Sequence, residues 1–166
     1  SMKIAFKFKI FIALIFCCLA FSSYAQSASK FKVTLDAGHG GHDSGCHGSA
    51  GSYEKDVTLE VVLKLGKYIE EKYPDIKILY TRKTDVFITL QDRALLANKN
   101  NADLFISVHC NANANKSAYG TETFLMGLHV SQANLDVAKR ENDVIKLEKD
   151  YEKTYGDFDP DSPESI

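Results

Sequence analysis

The chain has 166 residues, 45% apolar and 25% charged, with a formal charge of −2. That length allows one domain and hardly two, and the composition is that of an ordinary globular protein. A mildly acidic balance gives no electrostatic case for binding nucleic acid or an anionic membrane, so any polymer held by this chain is held by a shaped groove.

The first segment, "MKIAFKFKIFIALIFCCLAFSSYAQS", carries Lys3, Lys7 and Lys9, then an unbroken apolar run from Ile10 to Phe21, then small and polar residues. This is the pattern of a secretory signal peptide over residues 1–25, with Ser23 and Ala25 at the small positions before the cut. The apolar run is too short to span a bilayer comfortably. Bulky Phe16, just before Cys17, argues against a lipoprotein signal. Cleavage would remove three of the 20 basic residues and no acid, leaving 17 against 22, a charge of −5. Only Cys46 and Cys110 would survive it, which permits one disulfide but makes no disulfide scaffold; two free thiols are expected.

Residues 26–166 then alternate. "KFKVTL" (30–35) predicts a buried strand. "KDVTLEVVLKLGKYIEEKY" (55–73) has Val57, Val61, Leu65, Tyr68 and Ile69 at helical spacing, with Pro74 just beyond. "IKILY" (76–80) predicts a strand. "TLQDRALLANKNN" (89–101) predicts a helix with Leu90, Ala94, Leu95 and Ala97 inward. "DLFISVHCNA" (103–112) begins as a nearly all-apolar strand, expected to be buried on both faces. "GTETFLM" (120–126) predicts a fourth strand. Residues 127–166 form a charged helical insertion or tail, with a helix over 131–153 showing a thin stripe of Leu135, Ala138 and Ile145.

Such alternation predicts right-handed crossovers and an α/β fold with a mostly parallel central sheet flanked by helices. Ligands of such sheets bind at the carboxyl ends of the strands. The loop "DAGHGGHDSGCHG" (36–48) leaves the first strand there, "TRKTD" the second and "HCNAN" the third. His39 and His109 therefore come from neighbouring strand ends, and Glu54 opens the first helix on the same edge. Two imidazoles and one carboxylate are the protein ligands of a catalytic zinc site, with a fourth position left to water. Singly, a histidine at a strand end is more often a hydrogen-bonded residue, and a glutamate opening a helix is favoured there by the dipole. Residue pattern alone leaves both readings open.

The blocks "DAGHGGHDSGCHG", "YEKDVTLEV", "YTRKTDVFITLQDRALLANKNNADLFISVHCNA" and "GTETFLM" resemble, in order and spacing, the zinc-dependent N-acetylmuramoyl-L-alanine amidases of the amidase 3 family of peptidoglycan hydrolases. The resemblance covers roughly residues 31 to 126. It implies an amidase 3 (phosphorylase/hydrolase-like) fold and one Zn2+ per chain on His39, Glu54 and His109. It implies hydrolysis of the amide between N-acetylmuramic acid and L-alanine, in cell-wall turnover or daughter-cell separation. The implied setting is secreted or periplasmic in a bacterial cell envelope, with peptidoglycan as partner and no membrane after signal cleavage. His42, His47 and His129 match no ligand position; His42 and Asn111 are the candidate substrate contacts.

One departure stands beside the match. The family carries a second glutamate, the expected general base, in a late block of the form "VLVELGFLSN", and no such block is present. The sequence thus reads as an amidase lacking its C-terminal part. Loss of that acid–base help would cost about 10²–10⁴-fold in rate. Glu122 is the weak substitute candidate for a catalytic role. Some family members carry a helical segment where residues 131–153 stand, which covers the zinc cleft until an activator protein displaces it. Two alternatives remain: a catalytically impaired wall-binding or regulatory remnant, and a zinc peptidase or deacetylase acting on another wall bond.

Overall fold

In the computed structural model the described residues are 30–112, 115, 117–125, 132–149 and 151–156. The expected signal peptide (1–25), His129 and residues 157–166 lie outside them.

Three parallel strands form one sheet in the order β2–β1–β3: β1 Phe31–Ala37, β2 Ile76–Tyr80 and β3 Leu104–Val108. Ala37 pairs with Val108, so β1 and β3 end level, while β2 ends two residues earlier at Tyr80, opposite Leu35. Alternation along β1 sends Val33, Leu35 and Ala37 to one face and Thr34 and Asp36 to the other. The first face meets helix α1 (Glu54–Lys72), and Val62 closes a core with Leu59, Leu65, Ile78, Tyr80, Ile106 and Val108 around it. The second face is polar at its carboxyl end, where helix α2 (Leu90–Lys99) delivers the buried Arg93 to Asp36.

The buried line of α1 is Glu54, Thr58, Val62 and Gly66, one residue round from the expected one; Val57, Val61 and Tyr68 are exposed. The rotation follows from what the helix must carry, since Glu54 has to reach the sheet edge. Gly66, three turns on, lies against the Tyr80 phenol, and a Cβ there would overlap the hydroxyl oxygen. Gly66→Ala is therefore expected to lower stability by about 1–3 kcal/mol through overpacking, despite alanine's better helix propensity. Thermal unfolding by circular dichroism checks it, and an unchanged or raised Tm would contradict it.

Three other expectations are corrected. Strand β3 is not buried on both faces: Leu104 is 45% and Phe105 42% exposed, because β3 pairs with β1 alone among the described strands. Residues 120–125 form no strand, having no described strand beside them to pair with; Leu125 is exposed. The single long helix over 131–153 is instead three pieces: helix α3 (Gln132–Asn142), a 3-10 helix (Asp143–Leu147) and a short helix α4 (Tyr151–Tyr155). Glu148 leaves helical dihedrals at ψ 140°. Its carboxylate is committed elsewhere, accepting the Leu90 N–H at 2.9 Å and the Tyr155 hydroxyl at 2.8 Å. The Tyr155 oxygen in turn accepts the Gln91 N–H at 3.3 Å. These bonds cap α2, and together with the buried Ile145 they seat the segment on the sheet domain. No helix among the described residues is long and apolar enough to cross a membrane.

Candidate metal centre

Past the end of β1, the Gly38 N–H extends the sheet ladder to the Val108 carbonyl at 3.1 Å. The chain then turns at His39, a non-glycine residue held at φ 61°. A side chain at Gly38 would strike the His109 ring, and one at Gly45 (φ 64°) would strike both the His39 ring and Glu54. Glycine at these two positions leaves room for the imidazoles.

Glu54 is buried at the first position of α1. Its Oε2 accepts the Cys46 N–H at 2.9 Å and its Oε1 the Cys110 N–H at 2.7 Å, so both flanking loops hold one carboxylate. His39 Nε2 lies 3.1 Å from Glu54 Oε1 and 3.2 Å from His109 Nδ1, and His109 Nδ1 lies 3.2 Å from Glu54 Oε1. The three residues that the sheet topology directs to one edge thus meet there.

A fourth group joins them. Glu141, near the end of α3, brings its Oε2 to 2.9 Å from His109 Nδ1 and 3.6 Å from His39 Nε2. One atom from each of the four residues lies within 4.8 Å of all the others. Zinc bonds of 2.0–2.2 Å in a tetrahedron place ligand atoms about 3.3–3.6 Å apart. Five of the six separations run from 2.9 to 3.6 Å, close to that spacing, the Glu54–Glu141 pair lies within 4.8 Å, and the donor set is one zinc accepts. The residues present fit a zinc ion.

Asp43 completes the arrangement. Its Oδ2 lies 2.8 Å from His39 Nδ1, which leaves Nε2 facing the cluster, and its Oδ1 accepts the Gly45 N–H at 3.2 Å. A carboxylate behind a ligand histidine fixes its tautomer and ring orientation. The clustered acids also favour positive charge at this place, carried by the two imidazoles where no cation replaces it. Burial lowers the His39 pKa, but hydrogen bonds and charge from Asp43 and Glu54 outweigh it and raise it to about 9. For His109 burial is likewise outweighed by Glu141 and Glu54, again to about 9. Burial pushes the Glu54 pKa up, yet both histidines and the two backbone N–H groups hold it far below the usual carboxylate range. Glu141 is also held low, its burial outweighed chiefly by His109.

The other candidates lie apart. His42 is exposed and stacks on Phe87 at 4.1 Å between ring centroids. Asn111 is exposed, and its Oδ1 accepts from Arg140 Nη2 at 2.9 Å, which ties it to α3. Glu122 is exposed and is not among the clustered groups. Cys46 and Cys110 are free thiols beside the cluster, their pKa values pushed up by burial and by Glu54 and Glu141. A cavity of about 470 Å³ adjoins the cluster, with Ile88, Arg93, Phe105 and Ser107 on the domain side and Glu141 and Val144 on the other.

Sequence reasoning missed Asp43 and Glu141. Asp43 stands four residues after His39, a spacing that could have marked it. Glu141 sits on a charged helix among other acids, and no spacing rule singles it out.

A family model described as N-acetylmuramoyl-L-alanine amidase matches residues 33–156. Over 94 residues the chain is 42% identical to the N-acetylmuramoyl-L-alanine amidase AmiC of Escherichia coli O6:H1, covering 57% of this chain and 22% of that protein. It is 43% identical over 93 residues to the endolysin of Bacillus phage SPP1, covering 56% of this chain and 34% of the endolysin. The solved N-acetylmuramoyl-L-alanine amidase of Clostridium difficile 630 superposes with a TM-score of 0.51 at 38% identity, covering 55% of this chain and 50% of that one. The match thus spans between about a fifth and a half of these proteins' lengths. With 124 of its residues inside the family model, counted from 33 to 156, the chain belongs to the N-acetylmuramoyl-L-alanine amidase family.

Proposed function

We propose that this chain carries the zinc-binding part of an exported peptidoglycan amidase, with helix α3 seated over the metal. The reading rests on one observation: His39, Glu54, His109 and Glu141 converge from four separate parts of the chain, with one ligand atom from each within 4.8 Å of the others. Zinc held by His39, Glu54 and His109 supplies a Lewis acid for the amide carbonyl and lowers the pKa of water to about 7. Asp43 keeps the His39 proton on Nδ1, and the N–H groups of Cys46 and Cys110 keep Glu54 ionised and aimed. Glu141 would supply a fourth protein ligand, which is the mark of a closed site rather than a catalytic one. The segment from α3 to α4 is therefore a cover, and an activator protein that lifts it would open the site. Residues 1–25 serve as the signal peptide, residues 26–166 as the catalytic domain and residues 127–166 as its charged insertion or tail. His42 and Asn111 flank the loops as substrate contacts, and peptidoglycan is the substrate.

Digestion of purified sacculi by the zinc-loaded chain tests this. Wild type is expected to release almost no stem peptide, and Glu141→Ala to release it measurably. Adding His109→Ala to that variant should stop release. Free stem peptides beginning with L-alanine identify the amidase. Cut cross-bridges or deacetylated glycan would replace it with another wall hydrolase. No product from Glu141→Ala at full zinc occupancy would replace it with a wall-binding remnant.

A further inference from the structure

Two buried arginines outside the ligand set converge on the backbone that carries it. Arg82 Nε donates to the Ala37 carbonyl at 2.9 Å, and its Nη2 to Gly38 O at 2.8 Å and Lys55 O at 2.7 Å. Arg93 Nη1 donates to Ala37 O at 2.7 Å and its Nη2 to His39 O at 2.9 Å. The Thr58 hydroxyl adds a bond to Gly38 O at 2.9 Å. Three successive carbonyls, from the end of β1 to His39 itself, are thus held by guanidinium groups. Arg82 also grips the residue next to Glu54, so one side chain spans the gap between the His39 loop and the Glu54 helix.

We infer that Arg82 and Arg93 are positioning residues that set the separation and orientation of His39 and Glu54 for the metal; this rests on the zinc reading above. A strand end leaves carbonyls without ladder partners, and buried carbonyls must be satisfied somewhere. Here that need is met by planar forks with fixed donor directions, which lysine cannot reproduce. His39 sits at a positive φ that a non-glycine residue keeps only where its surroundings over-determine it. Arg93 on its carbonyl and Asp43 on its ring supply that determination from opposite ends.

Arg82→Lys and Arg93→Lys test the assignment beside Val62→Ala, a core variant that lowers stability while leaving every one of these hydrogen bonds in place. Zinc affinity is read by competition with a chromophoric chelator well below each Tm, and geometry by the visible spectrum of the Co2+-loaded protein. Each lysine variant is expected to bind zinc about 10–100-fold more weakly, as for other residues that orient metal ligands, with altered Co2+ bands. Val62→Ala should bind as wild type does. Lysine variants with lowered Tm but wild-type affinity and spectrum would show a merely structural role and overturn the inference. If one variant fails to fold, the other decides, since each arginine holds a carbonyl the other does not. A wild-type chain without tight zinc binding would sink the zinc reading itself, a result distinguishable from the first.

Discussion

His109→Ala is expected to lose tight zinc binding, while wild type holds one ion per chain. His109 supplies one of four donors, and the groups left behind, one imidazole and two carboxylates, are a poorer zinc set. Four-ligand zinc sites bind with roughly 10–16 kcal/mol, so one donor's share is ~3 kcal/mol, on the order of a 100-fold loss or more. Glu54 also loses a partner, since His109 is foremost among the groups holding its carboxylate ionised. The fold should survive, because the ring is partly exposed and stands beyond the end of β3. Metal analysis after gel filtration through a mild chelator gives the answer. Full occupancy in the variant would remove His109 from the ligand set.

Asp36→Ala should be the most damaging change away from the metal. The Asp36 carboxylate is buried and accepts from the Thr81 hydroxyl at 2.6 Å, the Ser107 hydroxyl at 2.6 Å and Arg93 Nη1 at 2.7 Å. Thr81 follows β2, Ser107 lies in β3 and Arg93 lies in α2, so one side chain of the central strand ties three other elements together. Removing it leaves a buried guanidinium without its counter-charge, which costs about 3–5 kcal/mol. Domains of this size have roughly 5–15 kcal/mol in total. At about 2–4 °C per kcal/mol for a chain of this length, Tm should fall by at least ~6 °C. A fall of only a few degrees would mean that water or backbone replaces the lost acceptor.

The frame of this domain is legible in its sequence because each early element has a local signature. The β-branched run of β1, the helical spacing of α1 and α2, and the punctuation by glycine and Pro74 are set by neighbours in the chain. Parallel topology then brings His39, Glu54 and His109 to one edge without further information. What failed to show was decided by contacts between distant residues. Apolar spacing gave the face of α1 one position out, because Glu54 and Gly66, neither of them apolar, fix its rotation. No pattern in the sequence marks Arg82 and Arg93 as buried, yet both are, because strand-end carbonyls need donors. Residues 120–126 have the composition of a strand, but pairing is a property of a neighbour, and no described strand lies beside them. Glu141 is one acid among many until tertiary structure brings it against His109.

The capping of α2 has a consequence for how the cover moves. Of the first three amides of that helix, only that of Asp92 is served from nearby, by the Thr89 hydroxyl; those of Leu90 and Gln91 are served by Glu148 and Tyr155. Lifting the segment away would therefore leave these two helix-end amides bare. Their hydrogen–deuterium exchange rates become a gauge of seating that needs no substrate: slow with the segment down, fast with it up. The same helix carries Arg93, whose guanidinium grips the His39 carbonyl. The helix that Glu148 and Tyr155 cap is thus the one whose arginine holds the His39 carbonyl, one turn away along the same element.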